Sequence, residues 1–138
     1  MRNMKERTKS HHIVSSSGDS PQTHASLQGD GVTSGEQVDM ELNDVYSCQG
    51  AVDVSRLLRV SRAKLMQQAK YLNGNVLLDE HWQCTIRGPK NRRDGTFRVH
   101  IRYAASASRS YLPDPQRPIA LDKARSVPGL MTVLPSRR

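Results

Sequence analysis

Aromatic side chains are scarce in this chain, with one Trp, one Phe and four Tyr among 138 residues. With hydrophobic residues at only 36%, a core drawn from so few rings has to be small, and the length sets a single domain as the expectation. Cysteine is nearly missing as well. Cys48 and Cys84 lie far apart with no second cysteine near either, and neither a disulfide framework nor a cysteine-based zinc site is expected. No apolar run has the length of a membrane span, and the amino terminus lacks the apolar centre of a secretory signal. A soluble intracellular protein, cytoplasmic or nuclear and without a membrane partner, is the resulting expectation. Arg2, Lys5, Arg7 and Lys9 ahead of a Ser-rich stretch leave mitochondrial import as a lesser alternative, against which Glu6 and the acids that follow argue. Catalytic signatures are missing too: there is no G-x-S-x-G, no Gly-rich phosphate loop and no H-E-x-x-H. Neither an enzyme nor a cofactor is expected.

What the chain has in quantity is positive charge, unevenly placed. Residues 1–53 carry four basic and eight acidic side chains, net −4, whereas residues 54–138 carry seventeen and five, net +12, for +8 in all. A domain so basic meets polyanions or lives with its own repulsion. Between residues 11 and 53 there are seven carboxylates and no Lys or Arg. This stretch has the composition of a solvated tail, with the alternative that it visits the basic face and competes with outside anions. Residues 1–44, with Ser15, Ser16, Ser17, Gly18, Pro21, Gly29, Gly31 and Gly35 and no sustained period, are expected to form a disordered arm.

Residues 45–54 turn apolar, and a short strand or the lead-in to a helix both fit. Ser55 suits an N-cap for a helix over residues 56–72, with Asn73-Gly74 as its stop. At 100° per residue Val54, Leu58, Leu65, Ala69 and Leu72 share one stripe with Met66 at its edge, while Arg56, Arg59, Lys64, Gln67 and Lys70 spread over the remaining arc. Two alternating runs follow, around a basic loop that contains Asp94-Gly95. In the first, Val76, Leu78, Trp82, Cys84 and Ile86 take one face and Leu77, Asp79, His81, Gln83, Thr85 and Arg87 the other, with Leu77 and Glu80 breaking the pattern. In the second, Phe97, Val99, Ile101, Tyr103 and Ala105 alternate with Arg98, His100, Arg102 and Ala104. The reading is a long β-hairpin. Pairing apolar positions sets Ile86 opposite Phe97, Cys84 opposite Val99 and Trp82 opposite Ile101. Glu80 on the apolar face marks a bulge, a sheet edge or a pairing with the helix. Beyond Arg109, Pro113, Pro115 and Pro118 force an extended path, after which residues 118–126 suit a short helix and residues 130–134 a strand at the edge of the hairpin; residues 135–138 form a frayed tail.

The fold class is therefore α+β, one amphipathic helix packed on a long antiparallel hairpin with a possible further C-terminal strand, over residues 45–134 behind the arm. The candidate binding set is Arg87, Lys90, Arg92, Arg93, Arg98, His100 and Arg102, since guanidinium groups along a twisted ribbon match a phosphate backbone. Trp82, Phe97 and Tyr103 fall on the covered side, so the stacking rings of single-strand binders are missing from the exposed one. On this register His81 and His100 are diagonal neighbours on the polar face with Asp79 two positions from His81, a pattern more often ordinary polar surface than a metal set.

The runs "NGNVLLDEHWQCTIRGPKNRRDGTFRVHIRYAASASR" (residues 73–109) and "PDPQRPIALDKARSVPGLMTVL" (residues 113–134) resemble a group of uncharacterised small fungal proteins, a likeness that implies no activity. More distantly, the helix that ends before "GNVLL" is similar to the helix-to-strand step of the bacterial proteins once called heavy-metal-binding, which assemble through their sheets. That family prefers "GANA" here, and its cysteines have no counterpart in this chain. Two functions are expected on these grounds: a non-enzymatic module that contacts nucleic acid or an acidic protein through the basic hairpin, or a module that self-assembles or binds a protein partner at its sheet edge.

Overall fold

The computed structural model describes residues 11–88 and 95–135. Among these residues a five-stranded antiparallel sheet, in the order β1-β3-β4-β2-β5, carries one α-helix on one face. The strands are β1 (His11–Ser16), β2 (Val38–Gln49), β3 (Val76–Gly88), β4 (Thr96–Ser108) and β5 (Thr132–Leu134), and the helix is α1 (Val54–Tyr71). The fold class is α+β, with the helix lying over the β3–β4 hairpin.

Disorder over residues 1–44 does not hold from His11 onward. β1 pairs along β3 from His11 opposite Gly88 to Ser16 opposite Gln83, and β2 pairs along the whole of β4 from Val38 opposite Ala107 to Gln49 opposite Thr96. Strand pairing supplies what composition could not show, because each strand borrows its partner from the far side of the hairpin. Between β1 and β2 the chain is tied down by Gln22, which pairs with Glu80, and by Leu27, which is 3% exposed.

The helix begins two residues earlier than expected. Asp53, not Ser55, is the N-cap, its Oδ1 accepting from the Arg56 amide at 3.2 Å. At the other end Asn73 takes the left-handed conformation at φ 66°, and the Gly74 amide donates to the Ala69 carbonyl at 2.8 Å. A Cβ on Gly74 would stand 3.1 Å from the Ser108 carbonyl, so this glycine serves close approach of helix end to sheet. Val54, Leu57, Leu58, Leu65 and Ala69 are buried, whereas Leu72, expected on the stripe, is 48% exposed because the helix has already ended.

The hairpin forms with a register displaced by two residues: Ile86 faces Val99, Cys84 faces Ile101 and Trp82 faces Tyr103. A displacement of two preserves which side each residue takes, so alternation alone does not distinguish the two pairings. Toward the start of β3 a β-bulge falls between Leu78 and His81, where Asp79 sits at φ 50°. The bulge reverses the faces assigned to the start of β3. Leu77 belongs to the main core under α1, while Val76 and Leu78 face the opposite side and pack with Leu27, Val32 and Leu112 in a second, smaller core.

The main core holds Trp82, Tyr103, Ile86, Val99, Ile101, Phe97, Cys84 and Cys48 against the helix. Trp82 donates its indole N–H to the Ile119 carbonyl at 2.8 Å and so pins the proline-rich segment to the sheet. In place of a helix over residues 118–126 there is a single 3₁₀ turn, Leu121–Lys123. Residues 45–54 divide into the end of β2, a bridge from Val52 to Val127, and the helix cap. β5 is a strand as expected but joins β2, through residues 47–49, rather than the edge of the hairpin.

Candidate functional site

The face of the sheet turned away from α1 is open at the end nearest the hairpin tip. Alternation along β3 and β4 sends Arg87, Arg98, His100 and Arg102 to this face. Pairing makes Arg87 and Arg98 direct cross-strand neighbours, sets Thr85 beside His100, and brings His12 of β1 next to Arg87. Val45 of β2 lies beside His100. Val45, Thr85, Arg87, Arg98 and His100 line a shallow hollow of about 360 Å³. Arg102 is turned from this group by an ion pair to Glu41 at 3.0 Å, and the Glu41 carboxyl is held below its ordinary range first by the Asn43 amide and then by Arg102. Among the described residues no carboxylate pairs with Arg87 or Arg98. Lys90, Arg92 and Arg93 lie outside the described residues.

The structure thus brings Arg87, Arg98 and His100 together and separates Arg102 from them. His12 and Val45 were missed, because the strands that carry them were assigned to the arm or left open; the alternation of residues 38–49 was the available signal. His81 and His100 are not diagonal neighbours, since His81 faces Ala104 and donates to the Gly18 carbonyl at 2.7 Å. Among the described residues no three His, Cys, Asp or Glu side chains are grouped to hold a metal.

On the helix side the bulge turns Glu80 into the core, where it is fully buried. Arg62 meets it with Nε at 2.8 Å and Nη2 at 2.9 Å, and also holds Asp114 through Nη1 at 2.7 Å and Nη2 at 3.0 Å. Tyr103 adds its hydroxyl to Glu80 Oε1 at 2.5 Å. His24 Nε2 donates to the Arg117 carbonyl at 2.6 Å and stands 3.6 Å from Glu80 Oε2. Burial opposes charge on Arg62, yet its two carboxylate partners raise its pKa further above an already high value; burial likewise works against ionised Asp114, and Arg62 overcomes it to leave that carboxyl below its usual range. Burial, and then the Glu80 charge, push the Tyr103 phenol far up. Among the described residues every buried side-chain nitrogen and oxygen has a partner, so this cluster is a hydrogen-bonded knot that joins helix, bulge and proline-rich segment. The sequence signals for it were Glu80 on an apolar face and Arg62, which stands between Leu58 and Leu65 inside the helix's apolar stripe.

No protein-family model, curated protein or solved structure matches the chain. No helix among the described residues is long and apolar enough to cross a membrane.

Proposed function

We propose that the protein is a non-enzymatic intracellular module that binds the phosphate backbone of nucleic acid, RNA in the first instance, across the basic end of its open sheet face. The observation that carries this reading is the pair Arg87 and Arg98, like charges directly opposite one another with no carboxylate partner among the described residues. Like charges in that position destabilise a sheet, and a bound phosphate reverses the sign of the interaction. His12 and His100 enlarge the patch across three strands. Lys90, Arg92 and Arg93, between the two strands in sequence, join the proposal from the sequence alone. The side chains lining the hollow include no Trp, Tyr or Phe for base stacking, so little sequence preference is expected.

Fluorescence anisotropy with a labelled oligouridine, repeated over a series of salt concentrations, tests it. With about three phosphates engaged on a single strand the expected slope of log K against log salt is about −2. The double variant Arg87→Ala, Arg98→Ala should flatten that slope by more than half and weaken binding at least tenfold. Salt-independent binding, or a variant that binds like wild type, refutes the reading.

A second reading has its own observation. β5 covers only residues 47–49 of β2, and residues 38–46 have no neighbouring strand on that side among the described residues. Such an edge accepts another strand, from a second copy or from a protein partner. A salt-insensitive oligomer in sizing with light scattering is its signature.

A further inference from the structure

A cleft of about 650 Å³ runs between the outer shoulder of α1 and residues 114–118, on the opposite side of the molecule from the basic sheet face. Its helix wall is the stripe Arg59, Ala63, Met66, Gln67 and Lys70, at the i, i+4, i+7, i+8 and i+11 positions that share one face. Ala63 at the middle of that stripe leaves the hollow. The facing wall is held rigid by Asp114, whose carboxylate accepts from Arg62, from the Leu77 amide at 3.1 Å and from the Gln116 amide at 2.8 Å.

The electrostatics of this cleft are one-sided. Asp114, the one carboxylate in its lining, is already matched by Arg62 at 2.7 Å. Lys64 is drawn off to Asp44 at 2.9 Å. Arg59 and Lys70, at the two ends of the helix wall, have no carboxylate partner among the described residues. Between them Ala63, Met66, Val60, which is 41% exposed, and Pro118 supply apolar surface, with the uncharged amides of Gln67, Asn75 and Gln116 beside it. A volume in the range of small-molecule sites, apolar in the middle and positive at the rim, fits a ligand with an apolar body and one anionic head. We propose that this cleft binds a small amphiphilic organic anion, a carboxylate or phosphate monoester on an aliphatic or aromatic body, independently of the nucleic-acid face.

The probe is 1-anilinonaphthalene-8-sulfonate, titrated by fluorescence against the full chain, with decanoate, decyl phosphate and decanol as competitors. One saturable site is expected, displaced by decanoate and decyl phosphate but at least tenfold less well by decanol. Relative displacement by the first two separates a carboxylate ligand from a phosphate one. Ala63→Leu, which fills the hollow at unchanged charge, should abolish binding, and Arg59→Gln with Lys70→Gln should weaken it at least tenfold. Both sets of changes lie on the exposed side of the helix and should leave the Tm unchanged, while the variant Arg87→Ala, Arg98→Ala should bind the probe like wild type. Non-saturating fluorescence, equal displacement by decanol, or binding untouched by Ala63→Leu overturns the proposal. RNA binding by the cleft variants is expected to stay intact, so failure here and failure of the nucleic-acid reading are told apart.

Discussion

Replacing Arg62 by methionine keeps most of the side-chain length and removes the guanidinium that bridges two buried carboxylates. Four hydrogen bonds are lost, two to Glu80 at 2.8 and 2.9 Å and two to Asp114 at 2.7 and 3.0 Å. Breaking a buried ion pair by deleting one partner costs about 3 to 5 kcal/mol, and the upper end applies because two carboxylates are left facing each other, Glu80 fully buried and the Asp114 side chain 5% exposed. Against a total of about 5 to 15 kcal/mol for a domain, that leaves the variant near its folding threshold. The cost depends on pH with a definite sign. In the wild type the folded pKa of Asp114 lies below its ordinary value of 3.8, so its contribution is complete above about pH 4 and lost as the pH falls through the lowered folded value. Without Arg62, burial is opposed only by the Leu77 and Gln116 amides, so that pKa rises relative to the wild type, giving a penalty that is full at neutral pH and relieved by acid. The gap between wild type and variant is therefore widest near pH 7 and narrows toward pH 4. Urea unfolding followed by the emission of Trp82, at several pH values, measures it. Arg62→Lys, which keeps a charge but not the fork, is expected to cost about 1.5 to 3 kcal/mol and supplies a folded comparison. A loss below about 1 kcal/mol for Arg62→Met at pH 7, or one that does not change with pH, refutes the account of the cluster.

Cys48 and Cys84 are buried and their thiols are pushed up by burial to about 11 and about 12, so neither should react with a disulfide reagent at pH 8 until denaturant is added. Asp53→Ala removes the helix cap at the Arg56 amide and should lower stability by about 1 kcal/mol in urea unfolding. Gly50→Ala places a methyl group 2.6 Å from the Leu130 carbonyl at φ +88°; a Tm loss equivalent to more than about 1 kcal/mol is expected, with weakened β2–β5 pairing visible as faster amide exchange at residues 47–49.

Alternation along residues 76–105 made the hairpin legible, because a half-buried strand writes its two faces into every second residue. The helix was legible for the same reason at its own period. β1 was not legible: HHIVSS carries two adjacent apolar residues, Ile13 packed on the core and Val14 exposed, which make no alternation, and it owes its structure to β3 beside it. The register was missed by two residues since that displacement leaves every face unchanged, and the facing of Leu77 and Val76 was inverted since a bulge has no signal of its own in the alternation. Of the basic set, Arg87, Arg98 and His100 were placed correctly on one face, but the sheet neighbour that removes Arg102 came from β2, whose length was unforeseen. The Arg62 cluster was hidden because it joins helix, bulge and proline-rich segment across long separations in the chain. Glu80 on the apolar face was the member of it that the alternation marked as misplaced.

Because the pleat changes parity at Asp79, β3 is a party wall between two rooms of unequal size. The larger is sealed by α1 and the Arg62 knot; the smaller is closed by Leu27, Val32 and Leu112 alone against Val76 and Leu78. The wrap of residues 25–34 is held otherwise by the Thr33–Ser110 bridge, the Ser110 hydroxyl on the Val32 carbonyl and the Ser34 amide on the Arg109 carbonyl, so its amides are expected to exchange before those over the larger room.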